Sequence, residues 1–216
     1  MSRGVPTVDV LDTGTTDRRF QEAIIELFSG DGTIYLVSGY FTYQGYQRIR
    51  DAIVSFLERS SENELVAIVG PASDQFSARI AQDLWSLEQS DQVRLYKFSR
   101  GLHAKLYLRD GPNPQCIVGS SNLTQVAFSY NVELNVEFSR DHRDHPDMKA
   151  LMGWIDEMLD ASKPLARRDV HLPMLVGGSI VNWSNKAQLL PVRTIFIRVI
   201  SVIVLLVVLA GLIWIV

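Results

Sequence analysis

Two neighbouring stretches decide the predicted fold: GLHAKLYLRD at residues 101–110 and QCIVGSSNLT at residues 115–124. In the first, His103 and Lys105 are two residues apart, so on a strand their side chains point to the same face. The leucines that alternate with them would face the opposite, apolar side. A histidine beside a lysine packs poorly in a core but suits an anion, because lysine is a point charge and histidine exchanges protons near neutral pH. We therefore predict an anion site on this strand.

The second stretch places small polar side chains at the end of a strand. An apolar run ends at Gly119, and three polar residues follow it directly: Ser120, Ser121 and Asn122. Hydroxyl and amide groups beside a glycine that permits close backbone approach are suited to binding phosphate oxygens. Glu133 follows eleven residues after Asn122. This stretch therefore predicts a phosphate-binding turn.

Apolar runs alternate with helical periodicity along the rest of the domain. The predicted strands cover residues 33–38, 65–69, 93–98, 104–108, 115–118 and 132–138. The predicted helices cover residues 18–28, 44–59, 77–88 and 147–159. The alternation predicts an α/β fold with a mixed, mainly parallel β-sheet flanked by helices on both faces. Further on, LPMLVGGSIVNW at residues 172–183 could be connector or a hairpin packed on the domain.

The motifs resemble those of a known family. HAKLYLRD matches the H-x-K-x4-D signature of the phospholipase D superfamily, and GSSN matches its G-S-x-N companion. SGYFTYQGYQRI, residues 38–49, is similar to the glycine-aromatic strand end of phospholipase D-like nucleases. The resemblance covers residues 33–138, about half of the chain, and it implies a phospholipase D-like catalytic domain of the nuclease type.

The mechanism that this resemblance implies is covalent and uses neither a metal nor another cofactor. One histidine attacks phosphorus and forms a phosphohistidine, while a second histidine protonates the departing oxygen. Lys105 and Asn122, with Ser120 nearby, would neutralise charge on the transferring group. Glu133 would hold an imidazole in the required tautomer.

The remaining residues of the motifs receive less direct roles. Gly119, Ser121 and Tyr40 are predicted to contact substrate. Asp110, the last residue of the signature, is predicted to be structural, as a turn or ion-pair residue, because an acid at the phosphate would oppose binding.

Two histidines are required, and this chain has one such motif. The other histidines, His142, His145 and His171, lack the H-x-K context. Short members of the superfamily form a twofold dimer, and an isologous interface would bring His103 and its symmetry mate to one site. We therefore expect a homodimer with a composite active site.

The end of the chain predicts a membrane anchor. Residues 199–216 carry no charge, and residues 194–198 can extend this run to the length of a single-pass helix. The predicted organisation is a catalytic domain at 1–162, a connector and basic juxtamembrane segment at 163–193, and a transmembrane helix at 194–216. Basic residues flank this helix, as is typical of the cytoplasmic side: Lys163, Arg167, Arg168, Lys186, Arg193 and Arg198. We expect the N-terminal domain to be cytoplasmic, which a single cysteine, Cys116, also favours.

Three functions remain open on the sequence. The first is a nuclease acting on DNA or RNA, with a possible role in defence and an unknown partner protein at the membrane. The second is a phospholipase or phosphatidyl-transfer enzyme, favoured by the anchor and the basic flank. The third is a nucleic-acid or lipid binding module without catalysis. The net charge of −3 requires any nucleic-acid surface to be local.

Two clusters also have alternative interpretations. DHRDH at residues 141–145 could bind a metal, although a solvated loop is the simpler interpretation. Four aromatic residues could stack on bases, wall a cleft or pack at a dimer interface: Tyr40, Phe41, Tyr43 and Tyr46.

Overall fold

A computed structural model describes residues 8–12, 19–70, 78–166, 174–176 and 179–181. The chain divides into two units, Met1–Val170 and His171–Val216. The strands are β1 (Val8–Asp12), β2 (Thr33–Ser38), β3 (Glu64–Val69), β4 (Val93–Phe98), β5 (Lys105–Asp110), β6 (Gln115–Gly119), β7 (Leu134–Ser139), β8 (Ser162–Pro164), β9 (Met174–Val176) and β10 (Ser179–Val181). The α-helices are α1 (Phe20–Leu27), α2 (Tyr43–Gln47), α3 (Arg50–Arg59), α4 (Ala78–Ser86), α5 (Gln125–Ser129) and α6 (Pro146–Asp160).

The first unit contains an eight-stranded sheet in the order β1-β7-β6-β5-β2-β3-β4-β8. Strand β3 lies parallel to both β2 and β4. The other neighbouring pairs described in this sheet are antiparallel. The prediction of a mixed sheet is confirmed, but the prediction that it is mainly parallel is wrong. Parallel neighbours need helical crossovers, whereas the four residues between β5 and β6 are enough only for a hairpin.

Helices cover both faces of this sheet, as predicted. Alternate strand residues face opposite sides, so Leu36 joins one buried cluster and Val37 the other. The larger cluster contains side chains from α1 to α5, and the smaller one contains Met148 and Ile155 of α6. Cys116 is fully buried in the smaller cluster and packs there as a small apolar residue.

Several local predictions need correction. The helix expected at residues 44–59 is two helices, α2 and α3, separated by a turn at Arg48 and Ile49. The short strands β1 and β8 and the five-residue helix α5 were not predicted, because such short elements show little periodicity. Between residues 172 and 183, β9 and β10 form an antiparallel pair, which agrees with strand pairing in this stretch, while its packing on the domain stays a prediction.

The predicted membrane anchor lies outside the described residues, as does His171. Within the described ranges, no helix combines the length and the apolar character needed to cross a bilayer. Edge strand β8 continues the sheet to Pro164, beyond the domain end predicted at residue 162. The domain boundaries at 162 and 193 otherwise stay predictions.

Gly45 lets α2 lie directly on the turn that follows β6. A methyl group there would come within 2.3 Å of the Leu123 carbonyl oxygen. We expect Gly45→Ala to lower the free energy of unfolding by about 1–3 kcal/mol because of this overlap. Gly153 of α6 is the matched control, since a methyl group there meets open space and Gly153→Ala should stabilise by about 0.5–1 kcal/mol. Urea unfolding measures both changes, and stabilisation by Gly45→Ala would contradict this packing.

Candidate active site

Apart from Asp110, the polar residues of both motifs lie at one end of the sheet. Strands β2 and β6 end there, and the antiparallel strands β5 and β7 begin there. Ser38 is the register partner of Lys105, and Gly119 is the partner of Asn135. Four strand ends thus bring together residues that are up to about a hundred positions apart in sequence.

His103 lies just before β5, not on it. The prediction that both side chains project from one strand is therefore wrong, because β5 begins at Lys105. The two side chains nevertheless meet, with 3.3 Å between Lys105 Nζ and His103 Nδ1. Lys105 Nζ also donates to the carbonyl oxygen of His103 at 2.6 Å. The lysine is 5% exposed, whereas the histidine is exposed.

Two glycines allow the His103 segment to cross the strand ends. A methyl group on Gly39 would come within 2.5 Å of the Leu102 carbonyl oxygen. A methyl group on Gly70 would come within 2.7 Å of the Gly39 carbonyl oxygen and 3.3 Å of Leu102 Cβ. These positioning roles were missed in the sequence, although each glycine directly follows a buried apolar strand.

The contact with Lys105 sets the state of the His103 ring. An ammonium group can only donate, so Nδ1 accepts and a neutral ring carries its proton on Nε2. In this conformation a neutral His103 ring therefore offers Nε2–H as a hydrogen-bond donor. Burial lowers the pKa of Lys105 below its usual value, and the Glu133 carboxylate partly offsets this effect.

Asn122 is oriented by groups from the end of β2. Its Oδ1 accepts from the Tyr40 backbone N–H at 3.1 Å and lies 3.3 Å from Ser38 Oγ. Because a backbone N–H can only donate, the amide oxygen must be the atom that faces it. The amide NH₂ forms no hydrogen bond with the described residues and is left to donate to a ligand. Ser38 was not predicted as part of the site.

Glu133 contacts Ser120 and does not contact His103. The Ser120 hydroxyl donates to one carboxylate oxygen of Glu133, and Asn131 Nδ2 donates to the other at 2.9 Å. Ser120 Oγ in turn accepts from the Leu134 backbone N–H at 3.0 Å. No hydrogen bond to His103 from this carboxylate occurs among the described residues, so the predicted support of an imidazole is not made within one chain.

Gly119 and Ser121 serve the packing of the turn. A methyl group on Gly119 would come within 2.3 Å of Asn135 Oδ1, so the glycine makes room for this buried amide. Ser121 is fully buried, and its hydroxyl accepts from Asn135 Nδ2 at 2.8 Å. Tyr107 donates to the Ser121 carbonyl oxygen at 2.6 Å. The predicted substrate contact of Ser121 is therefore corrected to a structural role, since its hydroxyl has no access to solvent.

The remaining predicted residues lie at different distances from this site. Tyr40 borders it, with 47% of its side chain exposed. Asp110 ends β5, about 17 Å from Lys105 at the usual rise per strand residue. There it binds Arg143, with 2.9 Å between Oδ2 and Nη2. Of the other aromatic candidates, Phe41 and Tyr46 are buried and cannot stack on bases.

The described residues contain no group of three or more acidic, histidine or cysteine side chains placed to hold a metal ion. Within DHRDH, His145 caps helix α6, because its Nδ1 accepts from the Asp147 backbone N–H at 3.3 Å. His142 Nε2 lies 3.5 Å from Asp141 Oδ1. The loop interpretation of this segment is the one that fits these contacts.

Comparison with known families identifies the domain. Residues 24–159 match the family described as cardiolipin synthase, PLD-like domain, which is more than half of the chain. The chain belongs to this PLD-like family. No curated protein sequence matches it significantly.

Solved structures share the PLD-like fold at low sequence identity. Nuc from Salmonella typhimurium, a phospholipase D family member, aligns with a TM-score of 0.57 at 15% identity, covering 74% of this chain and 99% of that one. NucT from Helicobacter pylori aligns with a TM-score of 0.59 at 16% identity, covering 74% of this chain and 100% of that one. Phosphatidylserine synthase from Haemophilus influenzae gives 0.59 at 15% identity, covering 78% of this chain but only 42% of that one. These likenesses establish the fold.

The buried charge of Lys105 predicts a gain in stability when it is removed. Lys105→Met keeps the length of the side chain and removes the cost of burying an ammonium group, so we expect a gain of about 1 kcal/mol at neutral pH. The folded pKa lies below the unfolded value of about 10.4, so the unfolded chain binds more protons between the two values. The advantage of the variant should therefore shrink as the pH rises through this window. Unfolding curves across pH test this, and a destabilised variant would contradict it.

Proposed function

We propose that this PLD-like chain is a membrane-anchored, metal-independent phosphodiesterase that cleaves nucleic acid through a phosphohistidine at a site shared by two copies. The arrangement at the sheet end supports this proposal. A histidine, a buried ammonium group and a free amide NH₂ lie at the same end of the sheet, at His103, Lys105 and Asn122. Together they offer one proton-exchanging group and two donors for phosphate oxygens, which is what phosphoryl transfer requires.

The reaction would proceed in two displacements. The lone pair of one His103 Nε2 attacks phosphorus, the bond to the leaving oxygen breaks, and that oxygen takes the Nε2 proton of the second His103. Water then attacks phosphorus, gives a proton to the second histidine, and the P–N bond breaks. The second His103 must start the reaction as a doubly protonated imidazolium, which becomes neutral when it gives up its Nε2 proton. Its Nδ1 must therefore also have been released by Lys105 before the first step.

The attacking histidine needs the neutral tautomer with its proton on Nδ1, which is opposite to the tautomer that the Lys105 contact holds. Lys105 has three N–H donors, and an arriving phosphate would compete with His103 Nδ1 for one of them. Once the ammonium turns to the phosphate, Nδ1 can carry the ring proton and Nε2 is free to attack. Substrate binding and nucleophile formation would thus be coupled through Lys105.

Nucleic acid is favoured over lipid by the exposed ring of Tyr40. Its backbone N–H is bonded to Asn122, so this residue lies next to the amide, and its exposed ring is accessible for stacking on a base. Phosphatidyl transfer is the second candidate, and the cardiolipin synthase description of the family favours it. The predicted helix at 194–216 would hold either activity at the cytoplasmic face of a membrane. We propose in addition that the enzyme serves in defence and works with a partner protein at that membrane.

The full-length chain in detergent tests the proposal. It would be given labelled DNA, RNA and phospholipid vesicles with excess EDTA, beside His103→Ala and the matched control His142→Ala in the exposed loop. We expect EDTA-resistant nucleic-acid cleavage that falls at least 10³-fold in His103→Ala and persists in His142→Ala. Release of a lipid headgroup without nucleic-acid cleavage would favour phosphatidyl transfer. Binding without turnover of any substrate would favour a non-catalytic module.

The shared site predicts how mixed dimers behave. Differently tagged wild-type and His103→Ala chains would be coexpressed and the heterodimer isolated through both tags. One histidine cannot serve as nucleophile and as acid at once, so the heterodimer should be as inactive as the homodimeric variant. Retention of about half of the wild-type activity would show that each chain works alone.

Two functions of Asn122 can be tested separately: its amide oxygen accepts from the Tyr40 N–H, and its NH₂ group is proposed to donate to phosphate. Asn122→Asp keeps an acceptor for the Tyr40 N–H but replaces the NH₂ donor with a negative oxygen, so phosphate should be repelled. We expect the thermal midpoint to stay within a few degrees while kcat/KM falls by about 10²-fold or more. Asn122→Ala removes the acceptor too and should lower the thermal midpoint as well. Near-normal kcat/KM for Asn122→Asp would remove this amide from the site.

A further inference from the structure

A surface pocket of about 260 Å³ lies outside the candidate active site, between α1, α5 and the turn that joins α2 to α3. Two arginines line it, Arg19 and Arg48, together with Gln21, Glu22 and the end of α5 at Phe128 and Ser129. Phe128 is buried and stacks on Phe20, with 5.3 Å between the ring centroids. The pocket therefore has a mainly polar lining beside the buried ring of Phe128.

The two guanidinium groups are available to an anion. Arg48 Nη1 donates to Gln21 Oε1 at 3.1 Å, a neutral partner that holds the side chain over the pocket. Among the described residues, neither guanidinium forms an ion pair with a carboxylate. Glu22 is the acid of the pocket, and its Oε2 accepts from the Arg19 backbone N–H at 3.3 Å. Two positive charges against one negative charge leave the rim basic, although the whole chain carries −3.

The pocket lies at the same end of the sheet as His103. Helix α1 starts at the pocket, and the carbonyl oxygen of its last residue, Leu27, accepts from Arg109 Nη1 at 3.0 Å. Arg109 is near the far end of β5, so the start of α1 points towards the end with Lys105. Helix α5 links the two places directly, since Thr124 caps it two residues after Asn122 and it ends at the pocket. Five helical residues span about 7.5 Å.

We propose that this pocket is a second phosphate subsite, in which Arg19 and Arg48 bind a non-scissile phosphate of the nucleic-acid strand being cut at His103. The inference rests on the proposed function and names its substrate class more closely. A strand presents further phosphates at short, regular intervals, so a second cationic site roughly one short helix away adds affinity without touching the reacting atoms. Arginine suits this role because its planar fork binds phosphate oxygens in pairs.

A nucleic-acid strand fits this pocket better than a bilayer. The described pocket is a concave site, and the guanidinium of Arg48 is held there by Gln21. Bilayer-binding segments instead offer protruding apolar residues with flexible basic side chains around them. One phosphate of a nucleic-acid strand can enter this pocket while another phosphate of the same strand stays at the active site.

The test uses the full-length chain in detergent, in a His103→Ala background so that no substrate is consumed. Anisotropy of a labelled 20-nucleotide single strand would give Kd across a range of salt concentrations for Arg19→Gln/Arg48→Gln. Losing two phosphate contacts should weaken binding about 20-fold near 0.1 M salt and reduce the slope of log K against log salt by about 1.4. Arg19→Lys/Arg48→Lys should keep most of the slope, because the charges remain.

The matched control removes the same charge from the other end of the sheet. Arg94 pairs with Glu64 near the start of β4, and Arg143 pairs with Asp110, so Arg94→Gln/Arg143→Gln should change Kd by less than about twofold. Equal losses in both double variants would overturn the subsite in favour of a general charge effect, and unchanged binding in Arg19→Gln/Arg48→Gln would also overturn it. Loss of binding to phosphatidylglycerol vesicles but not to the strand would overturn it in favour of lipid.

Turnover separates this inference from the proposed function. With His103 intact, Arg19→Gln/Arg48→Gln should raise KM for the 20-mer about 20-fold and leave kcat/KM for a small chromogenic phosphodiester within about twofold. An equal fall in kcat/KM for the 20-mer and for the small phosphodiester would overturn the subsite. Arginine-dependent strand binding without cleavage by the intact chain would support the subsite while removing the proposed nuclease.

Discussion

The amide of Asn122 ties together the ends of two strands that are not neighbours in the sheet. Strand β5 lies between β2 and β6, yet Asn122, after β6, accepts from the backbone of Tyr40, after β2. This link fixes which end of the amide faces outward. If it were lost, backbone hydrogen bonds of Leu123 with Tyr40 and Thr42 would still join the two loops, but the amide NH₂ would no longer be held in place.

The grouping of His103, Lys105 and Asn122 at one sheet end was predictable because it depends on motifs that are local in sequence. His103 and Lys105 are two residues apart, and four consecutive residues form the turn from Gly119 to Asn122. The buried strand β2 was predicted with its observed ends, since its apolar run is bounded by turn residues. The mixed sheet and the helices on both faces followed from the alternation of strand and helix patterns.

What could not be predicted depends on contacts across the fold. The start of β5 depends on the glycines after β2 and β3, which allow Leu102 to cross the strand ends as irregular chain. The motif predicts that Ser121 contacts substrate, but its hydroxyl accepts a hydrogen bond from the buried amide of Asn135. The pocket of Arg19 and Arg48 joins residues 29 positions apart, one just before α1 and the other in the turn between α2 and α3, so no spacing rule would have paired them.

The central claim is that His103 becomes covalently bound to phosphorus during turnover. The most direct measurement is to quench the full-length chain within its first turnovers, keep it at alkaline pH, and find the modified peptide by mass spectrometry. Our account predicts a phosphorus-containing adduct on the peptide that carries His103, lost on acid treatment and absent from His103→Ala. Steady cleavage by the wild-type chain with no adduct, and with activity retained in His103→Ala, would contradict it.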